Sequence, residues 1–224
     1  MMFDFDFGKE LAEIKQQLTL FQKQKKRIFL TSSFQTNSVP LLHIVSLFAP
    51  DTPIYLLNTG FLFSEILEFK DQLVNMFGLN VKSIRSETPR FQQRDSKGRF
   101  LFASDTDTCC QLNKIAPLEP IIARHDVWIN GIRASQSATR KSMEKLQQTK
   151  RILRYHPMLD WSSPMIYAYI EENNLPKHPL EEEGYVSIGC RPCTQKWADS
   201  LDGRGGRWAG QSKTECGLHT TLGS

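Results

Sequence analysis

The stretch Arg27-Ile28-Phe29-Leu30-Thr31-Ser32-Ser33-Phe34-Gln35-Thr36-Asn37-Ser38 decides the fold class. Its first part is a short apolar run, typical of a buried strand, and its second part is a loop of small polar residues. A strand that ends in hydroxyl side chains and opens a helix offers backbone N–H groups to an anion. The loop is neither a Walker loop nor a Gly-x-Gly-x-x-Gly fingerprint. It therefore indicates a strand–loop–helix unit that either binds phosphate in another way or is a plain strand–turn–helix.

Short apolar strands and amphipathic helices alternate along the rest of the chain. Strands are predicted at 53–57, 80–84, 127–131 and 151–155, and helices at 9–25, at 64–77 before Gly78, and from Ser162-Ser163-Pro164 onward. This alternation is typical of a parallel sheet covered by helices. Ligands of such folds lie outside the carboxyl ends of the strands. We therefore expect three polar loops, 32–38, 58–60 and 131–137, to converge on one crevice.

Composition and charge exclude several classes of protein. The 224 residues are 40% hydrophobic and 23% charged, as in an average globular protein. There is no apolar run of 18 residues, and the N-terminal residues lack the pattern of a secretion signal, so a cytoplasmic protein without a membrane span is expected. The net charge of +4 suits an anionic small molecule and is too weak to indicate nucleic-acid binding.

Five cysteines form a four-plus-one pattern. Cys109-Cys110 and the Cys190-x-x-Cys193 turn are two tight pairs, about eighty residues apart, and Cys216 stands alone. An odd count argues against a disulfide framework, and four thiolates complete an all-sulfur metal site. Because adjacent cysteines diverge, a 4Fe-4S cluster is favoured over a single tetrahedral zinc ion. Structural zinc and a Cys-x-x-Cys redox pair remain the alternatives.

Further residues have the chemistry of an anion-handling or nucleophilic site. Cys216 lies between Lys213 and His219 in a polar segment, which suits a reactive thiol, although a thiol without function fits that segment equally well. Arginine and lysine bind phosphate or sulfate, whereas a single basic residue is by default a solvated surface charge. The candidates are Lys114, Arg133, Arg204 and Arg207.

Together these motifs resemble the assimilatory adenylyl-sulfate (APS) reductases. That group lies within the phosphoadenylyl-sulfate (PAPS) reductase family of the PP-loop superfamily of adenine-nucleotide alpha hydrolases. The resemblance extends from about Lys26 to His219. Its motifs are Thr31-Ser32-Ser33-Phe34, Asn58-Thr59-Gly60, Cys109-Cys110-Gln111-Leu112-Asn113-Lys114, Gly131-Ile132-Arg133-Ala134-Ser135-Gln136-Ser137, Gly184-Tyr185-Val186-Ser187-Ile188-Gly189-Cys190 and Glu215-Cys216-Gly217-Leu218-His219.

The resemblance implies a fold, a division of the chain and a reaction. The fold is a three-layer α/β, parallel-sheet, Rossmann-like PP-loop domain at 26–188, with an N-terminal helix at 1–25 and a flexible catalytic tail at 189–224. The reaction is thioredoxin-dependent reduction of APS to sulfite and AMP in sulfate assimilation. The partner is thioredoxin or a glutaredoxin-like donor; no nucleic-acid or membrane partner is expected, and a homo-oligomer is left open.

The resemblance also implies residue roles. Cys216 would attack the sulfate sulfur and form an S-sulfonate. Lys114 would lie between cluster and substrate, and the phosphosulfate would be bound by Arg133, Arg204, Arg207 and His219. The nucleotide would be held by Ser32, Ser33, Leu57, Asn58, Thr59 and Gly60. The four ligands of a 4Fe-4S cluster would be Cys109, Cys110, Cys190 and Cys193.

The sequence departs from the family pattern in places, and other functions compete. Asn58 replaces an aspartate, Gln35 stands where glycine is common, and Asn37 stands where an acidic residue is common. A reductase of PAPS, or of both substrates, is the nearest alternative, although members specific for PAPS generally lack the four cysteines. A PP-loop ATP pyrophosphatase of tRNA thiolation and a zinc-stabilised binding module are the other two.

Overall fold

A six-stranded sheet forms the centre of the computed structural model, which describes residues 5–196, 206, 207, 218 and 222. The strands are β1 (Ile28–Thr31), β2 (Ile54–Leu57), β3 (Val81–Ile84), β4 (Val127–Asn130), β5 (Leu146–Gln148) and β6 (Leu153–Tyr155). Their order is β3-β2-β1-β4-β6-β5, and every neighbouring pair is parallel except β5 with β6. The sheet is thus mostly parallel, as predicted.

Helices cover both faces of the sheet. They are α1 (Gly8–Lys23), α2 (Val39–Phe48), α3 (Ser64–Phe77), α4 (Leu101–Ser104), α5 (Thr106–Cys110), α6 (Ala116–Ile122), α7 (Ala138–Lys141) and α8 (Ser163–Glu172). Alternate strand residues face opposite sides. Leu30 and Ile129 pack in one buried cluster with α1, α2, α3 and α8, whereas Phe29 and Trp128 pack in a second cluster with α6. The predicted three-layer α/β architecture is confirmed.

Most predicted elements lie within a few residues of their predicted bounds. The N-terminal helix packs Ile14, Leu18 and Phe21 into the first cluster. Helix α3 ends at Gly78, whose φ of +64° is left-handed, and the Ser162 hydroxyl accepts the Met165 N–H at 3.3 Å to cap α8. The predicted division of the chain at residues 25 and 188 remains a prediction.

Two parts of the fold were not predicted from the sequence. Strand β5 is antiparallel at the sheet edge, and its Leu-Gln-Gln sequence has no apolar run because two of its three residues are exposed. Between β3 and β4, α4, α5 and α6 form a helical excursion, and a π-helix at Gln111–Ile115 joins α5 to α6. No helix in the described ranges is both long and apolar enough to cross a membrane.

Candidate active site

A crevice of about 470 Å³ opens at the carboxyl ends of β1, β2 and β4. The loops that follow these strands line it together, so the predicted convergence of the three loops is confirmed. Eight of the site residues predicted from the sequence line it, namely Ser32, Ser33, Leu57, Thr59, Lys114, Arg133, Cys190 and Arg207.

The crevice is cationic. Four basic side chains line it, namely Lys114, Arg133, Arg140 and Arg207, and none of the described lining residues is Asp or Glu. Positive charge in a cleft attracts and concentrates anions. The crevice therefore suits a ligand with more than one negative charge.

Among the predicted anion-binding residues that the structure describes, Arg133 is the most buried. It follows β4 and is only 4% exposed. Its Nη2 donates to Asn37 Oδ1 at 2.9 Å and its Nη1 donates to Ser163 Oγ at 3.2 Å. Burial lowers the pKa of this guanidinium, and the charge of Arg140 lowers it further, although arginine stays protonated in proteins. Because both of these partners are neutral, the Arg133 charge remains available to an anion.

The predicted nucleotide-binding residues around the turn after β2 have two different roles. Leu57 and Thr59 line the crevice, whereas Asn58 and Gly60 shape the turn: Asn58 Oδ1 accepts the Gly60 N–H at 3.1 Å. Gly60 has a φ of +74°, and a Cβ there would lie 2.8 Å from Arg90 Cδ. Glycine is favoured here for two reasons: a side chain would strain this backbone conformation, and its Cβ would collide with the Arg90 side chain.

The four paired cysteines come together around a second, small cavity of about 10 Å³. All four are free thiols. Cys109 and Cys110 end α5, while Cys190 and Cys193 flank a 3-10 turn in which the Cys193 N–H donates to the Cys190 carbonyl at 2.8 Å. Within the described part of the chain, no three His, Cys, Asp or Glu side chains are arranged to hold a metal ion.

Polar groups surround these thiols. Asn113 Nδ2 donates to the Cys109 carbonyl at 2.9 Å and lies 3.6 Å from Cys109 Sγ, and Thr59 Oγ1 lies 3.2 Å from Cys190 Sγ. Burial raises the pKa of the Cys109 thiol, and the charges of Cys190 and Cys193 raise it further. Gathering thiolates so closely is thus electrostatically unfavourable for the chain alone, and a cationic group bound by them would relieve the repulsion.

The crevice and the cavity at the cysteines share a wall. Thr59, Lys114 and Cys190 line both. Lys114 lies on the π-helix that follows Cys109-Cys110, so the element that carries two of the thiols also supplies a cation to the crevice. A group bound at the cysteines would therefore act on a ligand in the crevice at close range.

Arg207 reaches the same region from the C-terminal segment. Thr194 and Arg207 form an antiparallel bridge, and Arg207 Nη1 donates to the Ile188 carbonyl at 3.3 Å. A Cβ on Gly189 would collide with the Arg207 guanidinium, so this glycine leaves the space that the arginine occupies beside Cys190.

Three predicted site residues, Arg204, Cys216 and His219, lie outside the described residues. Leu218, which belongs to the same motif as Cys216 and His219, is described and lines the crevice. Most of the predicted flexible tail lies outside the described residues as well.

The crevice also contains residues that no sequence pattern indicated. They are mainly Asn130, Arg140, Ser163 and Tyr167. Arg140 donates to Gln136 Oε1, and Tyr167 donates to Glu181 Oε1 at 2.8 Å. Arg140 lies only three residues beyond the loop at 131–137, so extending that loop into α7 would have found it. Tyr167 had no such signal, because its spacing is that of an ordinary helix face.

Comparisons with known proteins agree with this site. Residues 27–196 match the model of the phosphoadenosine phosphosulfate reductase domain. An adenosine 5'-phosphosulfate reductase from Rhodococcus opacus is 36% identical over 195 residues, which cover 86% of this chain and 78% of that protein. A phosphoadenosine 5'-phosphosulfate reductase from Gloeobacter violaceus is 37% identical over 198 residues, covering 86% and 82%.

Solved structures share the fold. The phosphoadenylyl-sulfate reductase from Candida auris, in its phosphate complex, superposes with a TM-score of 0.64 at 16% identity, covering 85% of this chain and 98% of that one. The FMN adenylyltransferase from Candida glabrata gives a TM-score of 0.57 at 12% identity, covering 89% and 74%. Domain match, relatives and site agree, and the chain belongs to the phosphoadenosine phosphosulfate reductase family of oxidoreductases.

Proposed function

We propose that the protein reduces adenylyl sulfate to sulfite and AMP with electrons from a dithiol protein of the thioredoxin type. The observation that carries the proposal is the wall that the cationic crevice shares with the four-cysteine cavity. A reductase of an anionic sulfuryl group needs an anion site, and the shared wall would let a group held by the four cysteines act on the bound anion through Lys114.

The nucleotide is proposed to lie in the crevice along the loop at 32–38. Ser32 and Ser33 would donate to phosphate oxygens, while Arg133 and Arg207 would neutralise the phosphosulfate. Screening of this kind matters because a thiolate that attacks an unscreened dianion is repelled. Lys114, on the wall shared with the cysteines, would direct the sulfate end toward Cys190.

The four paired cysteines are proposed to hold a 4Fe-4S cluster. The donor set fits, because four cysteine residues line one cavity and none of the other described residues that line it has a carboxylate or an imidazole. When bound, the cationic core of such a cluster would offset part of the negative charge of the four thiolates beside Lys114 on the wall of the crevice. Zinc remains the competing occupant, and iron and acid-labile sulfide analysis of anaerobically purified protein separates the two.

The proposed reaction uses Cys216 as the nucleophile. Its thiolate attacks the sulfate sulfur, the bond from that sulfur to the phosphate oxygen breaks, and the electron pair leaves with AMP. A thiolate of the partner then attacks Cys216 Sγ and releases sulfite, and the second partner thiol closes a disulfide that restores Cys216. Two thiols supply the two electrons. Leu218, two residues after Cys216, lines the crevice, which supports this role.

A reductase that also accepts the 3′-phosphorylated nucleotide is a second candidate. Four cations line the crevice, and none of the described lining residues has a carboxylate. The crevice therefore tolerates the two further negative charges of a 3′-phosphate. Asn37, hydrogen-bonded to Arg133, also leaves this side of the crevice without a negative charge. A relative named for each of the two substrates matches the chain, at 36% and 37% identity.

The intermediate provides the test. Anaerobic protein incubated with APS and no thiol donor should release AMP once and gain the mass of one SO₃ group on the peptide that contains Cys216. The Cys216→Ser variant should gain nothing. Adduct on another cysteine, or AMP release without an adduct, would contradict the proposal. A thioredoxin or glutaredoxin that then frees sulfite identifies the class of donor.

A further inference from the structure

Gln35 connects the loop at 32–38 to the segment that carries Cys190. Its Oε1 accepts the Ile188 N–H at 2.8 Å, and its Nε2 donates to Ser33 Oγ at 3.0 Å. All three residues line the crevice. One amide side chain thus spans from the proposed nucleotide loop to the residue two positions before Cys190.

The segment on the far side of this bridge is well ordered by its own contacts. Ile188 is 3% exposed, the Gly189 N–H donates to Thr194 Oγ1 at 3.0 Å, and Thr194 Oγ1 donates to the Cys190 carbonyl at 3.0 Å. A displacement of the Ile188 amide would therefore be passed on to Cys190. This makes the Gln35 contact a determinant of where that thiol lies.

The hydrogen bonds through Gln35 all run in one direction. The Ile188 N–H donates to Gln35, Gln35 donates to Ser33, and the Ser33 hydroxyl then has its own hydrogen to donate. Ser33 is exposed in the crevice, within 3.2 Å of Ser38 Oγ, so an anion there can accept that hydrogen. Hydrogen bonds in such a chain polarise and strengthen one another. An anion at Ser33 would thus tighten the contact between Gln35 and Ile188.

We propose that Gln35 is a positioning residue that makes the placement of Cys190 depend on occupancy of the nucleotide loop. The inference rests on the proposed function only in that a nucleotide phosphate is the anion at Ser33. The coupling requires a side chain at position 35 that accepts one hydrogen bond and donates another at the same time. Glutamate at this position would still accept from Ile188 but would not donate to Ser33, and methionine, of similar length, would do neither.

Amide hydrogen exchange tests this directly. In the anaerobic full-length protein, exchange at residues 186–190 is followed by mass spectrometry with and without AMP. We expect Gln35→Met to exchange about three to ten times faster than the parent without AMP, as loss of one hydrogen bond predicts. Gln35→Glu should exchange like the parent. AMP should slow exchange in the parent and leave both variants unchanged.

Two outcomes would overturn the proposal. One is exchange in Gln35→Met within twofold of the parent, and the other is full AMP protection in either variant while calorimetry shows that AMP is bound. Gln22→Met, which alters an exposed glutamine on α1, controls for general loosening. Because the readout needs no turnover, an inactive protein that shows the expected exchange would refute the proposed function and leave this coupling in place.

Discussion

Because Gly189 has no side chain, the charged group of Arg207 can lie next to it. The Arg207 guanidinium lies against it and would be displaced by a Cβ, whereas a Cβ on Gly131 would meet Leu41 Cδ2 at an ordinary 3.6 Å. Neither glycine has a left-handed backbone conformation, so an alanine substitution acts only through the space that its Cβ occupies. We expect Gly189→Ala to weaken AMP binding tenfold or more and Gly131→Ala to leave it within about twofold, measured by calorimetry. Equal effects would contradict this role of Arg207.

Arg133 offers a second test at the scale of one residue. Its guanidinium donates from two nitrogen atoms to Asn37 and Ser163, a planar geometry that lysine does not reproduce. Arg133→Lys should therefore keep the charge and still weaken nucleotide binding by about 1.5–3 kcal/mol, as for a charged hydrogen bond. The exposed Arg124 is the control, since Arg124→Lys should change nothing. Unaltered affinity for AMP in Arg133→Lys would exclude Arg133 from the binding site.

The sequence predicted which residues form the site better than it predicted the role of each residue. The hydroxyls of the loop after β1 and Arg133 after β4 lie at strand ends, which indicated that these side chains meet, because parallel strands end at one edge. The distinction between Thr59, which lines the crevice, and Asn58, which accepts the Gly60 N–H within the turn, depends on local backbone geometry. Three-dimensional packing alone shows that Gly189 makes room for Arg207.

Among the elements, α3 shows how a single residue ends a helix. Gly78 has a φ of +64°, and a Cβ there would meet no atom within 4 Å, so its substitution tests backbone conformation without a steric contribution. Gly78→Ala should lower the free energy of unfolding by about 1 kcal/mol, since only glycine adopts this conformation without strain. Urea denaturation measures the change. An increase in stability would show that the helix ends differently.

Elements were predictable where burial imposes a pattern. β1, β2 and β4 are apolar runs because both faces of a parallel sheet are covered. The edge strand β5 gains its structure from pairing with β6 and has two exposed residues of three, so its composition gives no signal. The excursion between β3 and β4 is broken into short helices and a π-helix, which have no clear period.

For the whole molecule, Asp126 links distant parts of the chain in a pH-dependent way. Its carboxylate accepts from the Arg27 backbone N–H at 2.8 Å and from the Arg27 guanidinium at 2.9 Å, which ties the residue before β1 to the residue before β4. The hydrogen bond from the Arg27 side chain is the main reason that the pKa of Asp126 falls from 3.8 to about 2.

A carboxyl group with a lowered pKa stabilises the fold when it is ionised. The contribution of Asp126 is therefore complete above about pH 4 and is lost as the pH falls toward 2. Asp126→Asn should be less stable than the parent at pH 7 and should lose less stability between pH 4 and pH 2. Urea denaturation across that range checks the slope, and parallel curves for the two proteins would contradict the link.

At this largest scale, the sequence predicted the three-layer fold and the convergence of three loops on one crevice, because topology follows from the order of elements. The family resemblance implied that Lys114 would lie between cluster and substrate. Nothing in the sequence indicated that Thr59 and Cys190 complete the same wall, since these residues are far apart in the chain and meet only through packing. In the proposed reductase, that wall would connect anion binding to the group held by the four cysteines.

Sulfite release tests this connection most directly. Anaerobically purified protein, with a thioredoxin and its reducing system, is given APS or PAPS at equal concentrations, and sulfite is measured over time. We predict sustained sulfite release from APS that depends on the thioredoxin and is absent in Cys216→Ser. Turnover of PAPS as well would extend the substrate range to the second candidate. Sulfite from neither substrate, in protein that binds AMP in the crevice, would contradict the assignment as a reductase of adenylyl sulfate.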